Sequence, residues 1–164
     1  MKRILFTALL SIALITSCKK TDNTNNCNST VPAVNVPSSE TAYLQNFLSA
    51  NSITATEKNG MFYTLTQGSG NSPNVCNTVS AEYVGNLING TTVGAQFDAS
   101  QAGQPASFKL LKLISSWQII FPLVKVGGTV TMYVPPSLGY GSNAAGAIPA
   151  NSYLKFVVTL RDVR

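Results

Sequence analysis

Apolar residues recur at helical spacing near residue 40 and at every second position from residue 61 onward. A serine followed by Glu40 is typical of a helix start, so a helix is predicted from Ser38 or Ser39 to about Ala50. Its apolar face consists of Tyr43, Leu44, Phe47 and Leu48. Strict alternation further along predicts strands. These strands cover residues 61–67, 78–87, 128–134 and 152–163.

A second, shorter helix is predicted within "LISSWQIIFPLVKVGG", residues 113–128. A serine precedes Trp117, apolar residues follow closely, and Pro122 must end the helix early. The pair Asn89-Gly90 indicates a hairpin between two strands. Several antiparallel strands with one short apolar helix favour an α+β fold, in which a sheet curls around that helix. The helix near residue 40 would be an extra N-terminal element.

The first 18 residues, "MKRILFTALLSIALITSC", have the parts of an export signal. Their apolar run of about 12 residues is short for spanning a bilayer, although a short membrane anchor or a buried helix is the alternative. The ending "ITSC" resembles the bacterial lipobox, whose cysteine becomes the acylated first residue of the mature protein. We therefore expect a signal peptide over residues 1–17 and a lipid anchor at Cys18, in the bacterial cell envelope, facing the periplasm or the cell surface.

Residues 18–37 are polar, rich in Asn and Thr, and interrupted by proline, which predicts a flexible tether. Cys27 lies in this tether, and Cys76 lies in the globular part. An exported compartment permits disulfides, so the two cysteines either form a bridge or remain free thiols. The sequence leaves both alternatives open.

The chain contains no histidine, six carboxylates and a net charge of +5. The lack of histidine excludes Ser-His and Cys-His nucleophile pairs and imidazole metal sites. The basic residues of the globular part are scattered singly, without a basic run or a base-stacking motif, so no nucleic-acid partner is expected. The composition therefore points away from acid-base and metal chemistry, and no cofactor is expected.

Several short motifs occur together in a recognisable order. They are Tyr83-Val84-Gly85, Phe97-Asp98, a tryptophan before the short helix, Gly127 after it, "PSLGYG" and Ile148-Pro149. In this order they resemble the FKBP-type peptidyl-prolyl cis-trans isomerases over about residues 61 to 164. The resemblance implies an isomerase domain at residues 59–164, preceded by a helical extension at residues 38–58, and an FKBP-like sheet wrapped around one short helix.

The resemblance also implies roles for individual residues. Trp117 would form the floor of a proline pocket, and Tyr140 would donate a hydrogen bond to a substrate carbonyl. Asp98 would bond the tyrosine of the pocket wall and orient the ligand, and the backbone amide of Ile148 would meet the ligand. The aromatic walls would be Tyr83, Phe97 and Phe156. Further substrate contacts would come from Leu113, Ile114, Phe108 and Ala147. Read singly, each aromatic residue is more typical of core packing.

Four departures from the family pattern make the pocket less regular. They are Ala106 in place of an aromatic, Ser116 in place of glycine, Ala147 in place of a larger apolar residue, and extra residues at 91–96. The expected function is isomerisation of Xaa-Pro bonds in exported polypeptides by a monomer. The alternative is a catalytically weak FKBP-like binding or chaperone module of the envelope.

Overall fold

The computed structural model describes Cys27, residues 29–31 and residues 33–164. The predicted signal peptide, the predicted lipidation site Cys18 and most of the predicted tether lie outside the described residues. Within the described part of the chain, no helix has the length and apolar character needed to cross a bilayer.

The described part of the chain contains two α-helices, both where the sequence predicts them. The first, α1, covers Ser38–Ala50, and the second, α2, covers Ser115–Ile120. A 3-10 turn at Phe121–Leu123 follows α2, because Pro122 cannot continue an α-helix. Two more 3-10 turns lie at Leu110–Lys112 and Pro136–Leu138.

Among the described residues, seven strands form one antiparallel sheet. They are β1 (Thr56–Lys58), β2 (Met61–Thr66), β3 (Thr78–Asn89), β4 (Thr92–Ala99), β5 (Ala106–Lys109), β6 (Thr129–Val134) and β7 (Tyr153–Val163). The order across the sheet is β1-β2-β6-β7-β3-β4, and β5 pairs with β3 as well. Since β5 pairs with residues 78–81 and β4 with residues 84–89, these two strands divide one edge of β3. The predicted α+β fold is confirmed.

Strand alternation gives the sheet two apolar faces, and one helix covers each. On β6, Met132 joins the main core with α2, whereas its neighbour Tyr133 packs with α1 on the other face. The helix α1 is docked there by Leu44, Phe47 and Leu48, all buried. The predicted N-terminal helix is therefore an integral layer of the fold.

The last part of the predicted tether is packed, which corrects the expectation of flexibility for these residues. Cys27 forms a disulfide with Cys76, with the two Cα atoms 5.8 Å apart. Val31, Val34 and Val36 are half-buried against the main core, so their apolar side chains hold the segment in place. The sheet also starts at β1, three residues before the predicted domain boundary at residue 59.

Candidate functional site

A pocket of about 180 Å³ opens where α2 meets the split edge of β3. Strands β3, β4, β5 and β7, the turn before α2 and the segment after β6 all contribute to its lining. The lining residues are Tyr83, Phe97, Asp98, Phe108, Lys112, Leu113, Ile114, Trp117, Tyr140 and Phe156.

The floor of the pocket is the indole of Trp117, which is only 4% exposed. Its ring stacks on buried Phe121, with centroids 4.9 Å apart and the planes at 14°. Three further rings stand nearly perpendicular to it at centroid distances of 5.5–5.8 Å, the edge-to-face geometry that aromatic rings favour. These rings are Tyr83, Phe108 and Phe156. The packing on both sides of the indole leaves it little freedom to move.

A β-bulge brings two neighbouring residues of β4 into the same pocket. Side chains of consecutive strand residues ordinarily point to opposite faces. The register shifts from Asn86 opposite Gln96 to Gly85 opposite Asp98, which leaves Phe97 as the extra residue. A bulge re-aims side chains, so Phe97 and Asp98 both line the pocket. The extra residues noted at 91–96 are accommodated in this irregular hairpin.

The only carboxylate in the pocket lining is held on both oxygens. The Tyr83 hydroxyl donates to Asp98 Oδ2 at 2.6 Å, and the Ala99 N–H donates to Asp98 Oδ1 at 2.9 Å. Burial, the hydrogen bond to Asp98 and the negative charge of Asp98 together raise the pKa of Tyr83 to about 12. Burial and the charge of Asp98 also raise the pKa of Tyr140. Both phenols are therefore neutral donors at ordinary pH, and neither can serve as a base.

The pocket includes every site residue expected from the sequence except Ile148 and Ala147. Ile148 is buried, and its N–H donates to the Ala145 carbonyl at 3.0 Å in a turn where Gly146 has φ +58°. That amide is already used, and Ala147 lies exposed beside it. The expected contact through the Ile148 amide is therefore not available in this conformation.

Two features of the pocket were missed from the sequence. Lys112 adds a cation to the lining, and nothing in its apolar sequence neighbourhood pointed to it. The N–H of Ile114 has no acceptor in the described part of the chain, while the Ile114 carbonyl accepts from the Trp117 N–H at 3.1 Å. The residue before a helix leaves such a donor free, and here it belongs to a residue of the pocket wall.

Comparison with known proteins gives consistent matches. The profile of the family described as FKBP-type peptidyl-prolyl cis-trans isomerase matches residues 70–161, more than half of the chain. The peptidyl-prolyl cis-trans isomerase Mip of Coxiella burnetii is 42% identical over 109 residues, which are 65% of this chain and 46% of that relative. The chain spans less than half the length of the first curated relatives that it matches.

Two crystal structures share the fold. That of FkpA from Escherichia coli matches with a TM-score of 0.65 and 33% identity, covering 77% of this chain and 58% of FkpA. A peptidyl-prolyl cis-trans isomerase from Pseudomonas syringae matches with a TM-score of 0.63 and 26% identity, covering 78% of this chain and 96% of the other.

Proposed function

The chain belongs to the FKBP-type peptidyl-prolyl cis-trans isomerases, and we propose that it accelerates the isomerisation of Xaa-Pro bonds in exported polypeptides. The observation that carries this proposal is the pocket itself. Its floor and walls are aromatic and aliphatic, its carboxylate Asp98 is held by the Tyr83 hydroxyl and the Ala99 N–H, and its lining includes no histidine.

Amide rotation suits such a pocket because it requires no proton transfer. The barrier of about 18–20 kcal/mol comes from conjugation along the peptide bond. Before proline, the cis and trans forms differ by only about 0.5–1 kcal/mol, so the obstacle is kinetic. In the twisted transition state the carbonyl is less polar, because conjugation is lost. An apolar cavity that excludes water therefore favours the twisted amide over the planar one.

Two donors near the indole would hold the peptide on either side of the rotating bond. The Tyr140 hydroxyl is neutral and lies at the pocket edge, 37% exposed. The N–H of Ile114 is unpaired within the described residues, whereas that of Ile148 is occupied. We therefore assign the backbone contact with the ligand to Ile114. Fixing neighbouring carbonyls restricts the peptide to geometries from which rotation proceeds.

The decisive measurement is the isomerisation rate of a tetrapeptide with a Leu-Pro bond, with the purified full chain as catalyst. Tyr140→Phe should reduce kcat/KM about three- to tenfold, since one hydrogen bond is lost. Tyr63→Phe is the matched control, because Tyr63 lies outside the pocket lining. A rate no faster than the uncatalysed one, with the peptide still quenching or shifting Trp117 fluorescence, would contradict catalysis and favour the binding module instead.

We also propose that the protein is attached to a bacterial membrane through acylated Cys18. The support is the apolar run that ends in "ITSC" directly before the polar segment. One myristoyl-length chain binds membranes only marginally, whereas several chains anchor a protein stably. Mass spectrometry of the protein made in a bacterial host should find a diacylglyceryl adduct on Cys18. An unmodified Cys18 would refute this anchor.

A further inference from the structure

The corner between β6 and Tyr140 is held by a residue from α1. Glu40, in the first turn of α1, accepts two hydrogen bonds from the same residue. The Ser137 N–H donates to Glu40 Oε2 at 3.0 Å, and the Ser137 hydroxyl donates to Glu40 Oε1 at 2.8 Å. Both groups are partly buried, and 97 residues separate them in the sequence. Hydrogen bonds to a carboxylate are about twice as strong as neutral ones.

The first N–H after β6 has no backbone acceptor among the residues that the structure describes. Pro135 and Pro136 have no N–H, so Ser137 carries the first donor after the end of β6. Ser137 lies in the first turn of the 3-10 helix Pro136–Leu138, where the backbone offers its N–H no acceptor. Glu40 supplies that acceptor from a different element. The carboxylate therefore acts as a cap that the local sequence does not contain.

The same 3-10 turn sets the backbone on both sides of Tyr140. The Pro136 carbonyl accepts from the Gly139 N–H and from the Gly141 N–H, both at 2.9 Å. Tyr140 lies between these two glycines, and the residue is 37% exposed. The turn therefore fixes the backbone on both sides of Tyr140.

We propose that Glu40 is a positioning residue of the isomerase site, which holds the Ser137 turn so that the Tyr140 hydroxyl reaches a bound peptide. The inference rests on the proposed function of the pocket. By this inference α1 supports the geometry of the site through Glu40, although α1 contributes no residue to the pocket lining.

The effect of replacing Glu40 can be distinguished from the effect of undocking α1. Three fully or almost fully buried residues dock α1, namely Leu44, Phe47 and Leu48. Variants at Glu40 should therefore keep α1 in place and alter only the turn. Glu57 is a matched control, because it also accepts from a backbone N–H in a turn, that of Gly60 at 2.8 Å, and it lies outside the pocket lining.

The experiment is a double-mutant cycle in the full chain, with kcat/KM for the Leu-Pro tetrapeptide as the readout. Glu40→Ala should lower kcat/KM about three- to tenfold, the range expected for loss of the Tyr140 hydrogen bond. Glu40→Gln should recover part of the rate, since an amide still offers one acceptor oxygen. In a Tyr140→Phe background, Glu40→Ala should change the rate by less than about twofold, because coupled residues are non-additive. Glu57→Ala should leave the rate unchanged.

Amide hydrogen exchange supplies a readout that does not depend on activity. Glu40→Ala should accelerate exchange at Ser137, Gly139 and Gly141 while leaving the amides of β6 protected. An active wild-type chain whose rate is unaffected by Glu40→Ala would overturn the inference and leave the proposed function standing. An equal loss with and without Tyr140→Phe would also overturn it. A wild-type chain without activity would instead refute the proposed function, and the exchange data would then test the turn alone.

Discussion

Replacing Gly85 by alanine should displace two aromatic walls of the pocket without unfolding the protein. Gly85 lies in β3 opposite Asp98 on one side and Phe156 on the other. A β-carbon at this position would lie 2.6 Å from Cε2 and Cζ of Phe97 and 3.0 Å from Cε1 of Phe156. These two rings stand edge to face at 5.5 Å directly over the glycine.

The size of the displacement follows from ordinary contact distances. Carbon atoms pack best at about 3.5–4.0 Å, so the Phe97 ring must retreat by roughly 1 Å. Phe156 has no room to move inward, because it is 4% exposed and packs against Trp117 at 5.5 Å. Overpacking of this kind costs about 1–3 kcal/mol of stability. A misplacement of about 1 Å in a site can cost about a hundredfold in rate, so we expect kcat/KM to fall about ten- to a hundredfold.

The assay is kcat/KM for the Leu-Pro tetrapeptide, together with denaturant unfolding to show that the variant is folded. Gly94→Ala in β4 is the control, since the nearest atom there is the flexible amide tip of Asn89 and no pocket ring is close. A Gly85→Ala protein that is folded and retains activity within about twofold of wild type would refute the role assigned to these walls.

Other consequences are testable by unfolding experiments. Cys76→Ser, or reduction of the Cys27–Cys76 disulfide, should lower the free energy of unfolding by about 2–4 kcal/mol, and reductant should have no further effect on the variant. Ser116→Ala should leave stability unchanged or raise it by up to about 1 kcal/mol, because the buried Ser116 hydroxyl has no partner among the described residues; a clear loss would contradict this. The folded state favours the protonated form of Tyr83, whose pKa is about 12, so its contribution to stability should be constant below about pH 10 and decline between about pH 10 and 12. Tyr83→Phe should make that decline shallower, and an unchanged pH profile would argue against a raised pKa of Tyr83 in the folded state.

Local patterns in the sequence determined much of the architecture. The helical spacing around Phe47 predicted α1, and strict alternation predicted β2, β3, β6 and β7 with ends within about two residues, the usual uncertainty of such boundaries. Asn89-Gly90 marked the β3–β4 hairpin, where Gly90 has φ +59°. These features depend on neighbours in the chain, so the sequence contains them directly. Periodicity did not predict the short strands β1 and β5, because three or four residues are too few to show one.

Some features of the pocket were likewise predicted from the sequence, and others became visible only in the tertiary structure. Order and residue type, compared with a known family, predicted the aromatic floor and walls, and these aromatic residues line the pocket. The tertiary structure alone decided that Lys112 joins them, that the Ile148 amide is occupied in its own turn, and that Gly85 leaves space for two rings. It also joined Glu40 to Ser137 across 97 residues. The pocket contacts and the Glu40–Ser137 pair depend on groups brought together by the curl of the sheet and by the irregular pairing of β3 with β4, and the Ile148 contact depends on how its own turn folds. A local pattern of polar and apolar residues contains no information about contacts between residues that are far apart in the sequence.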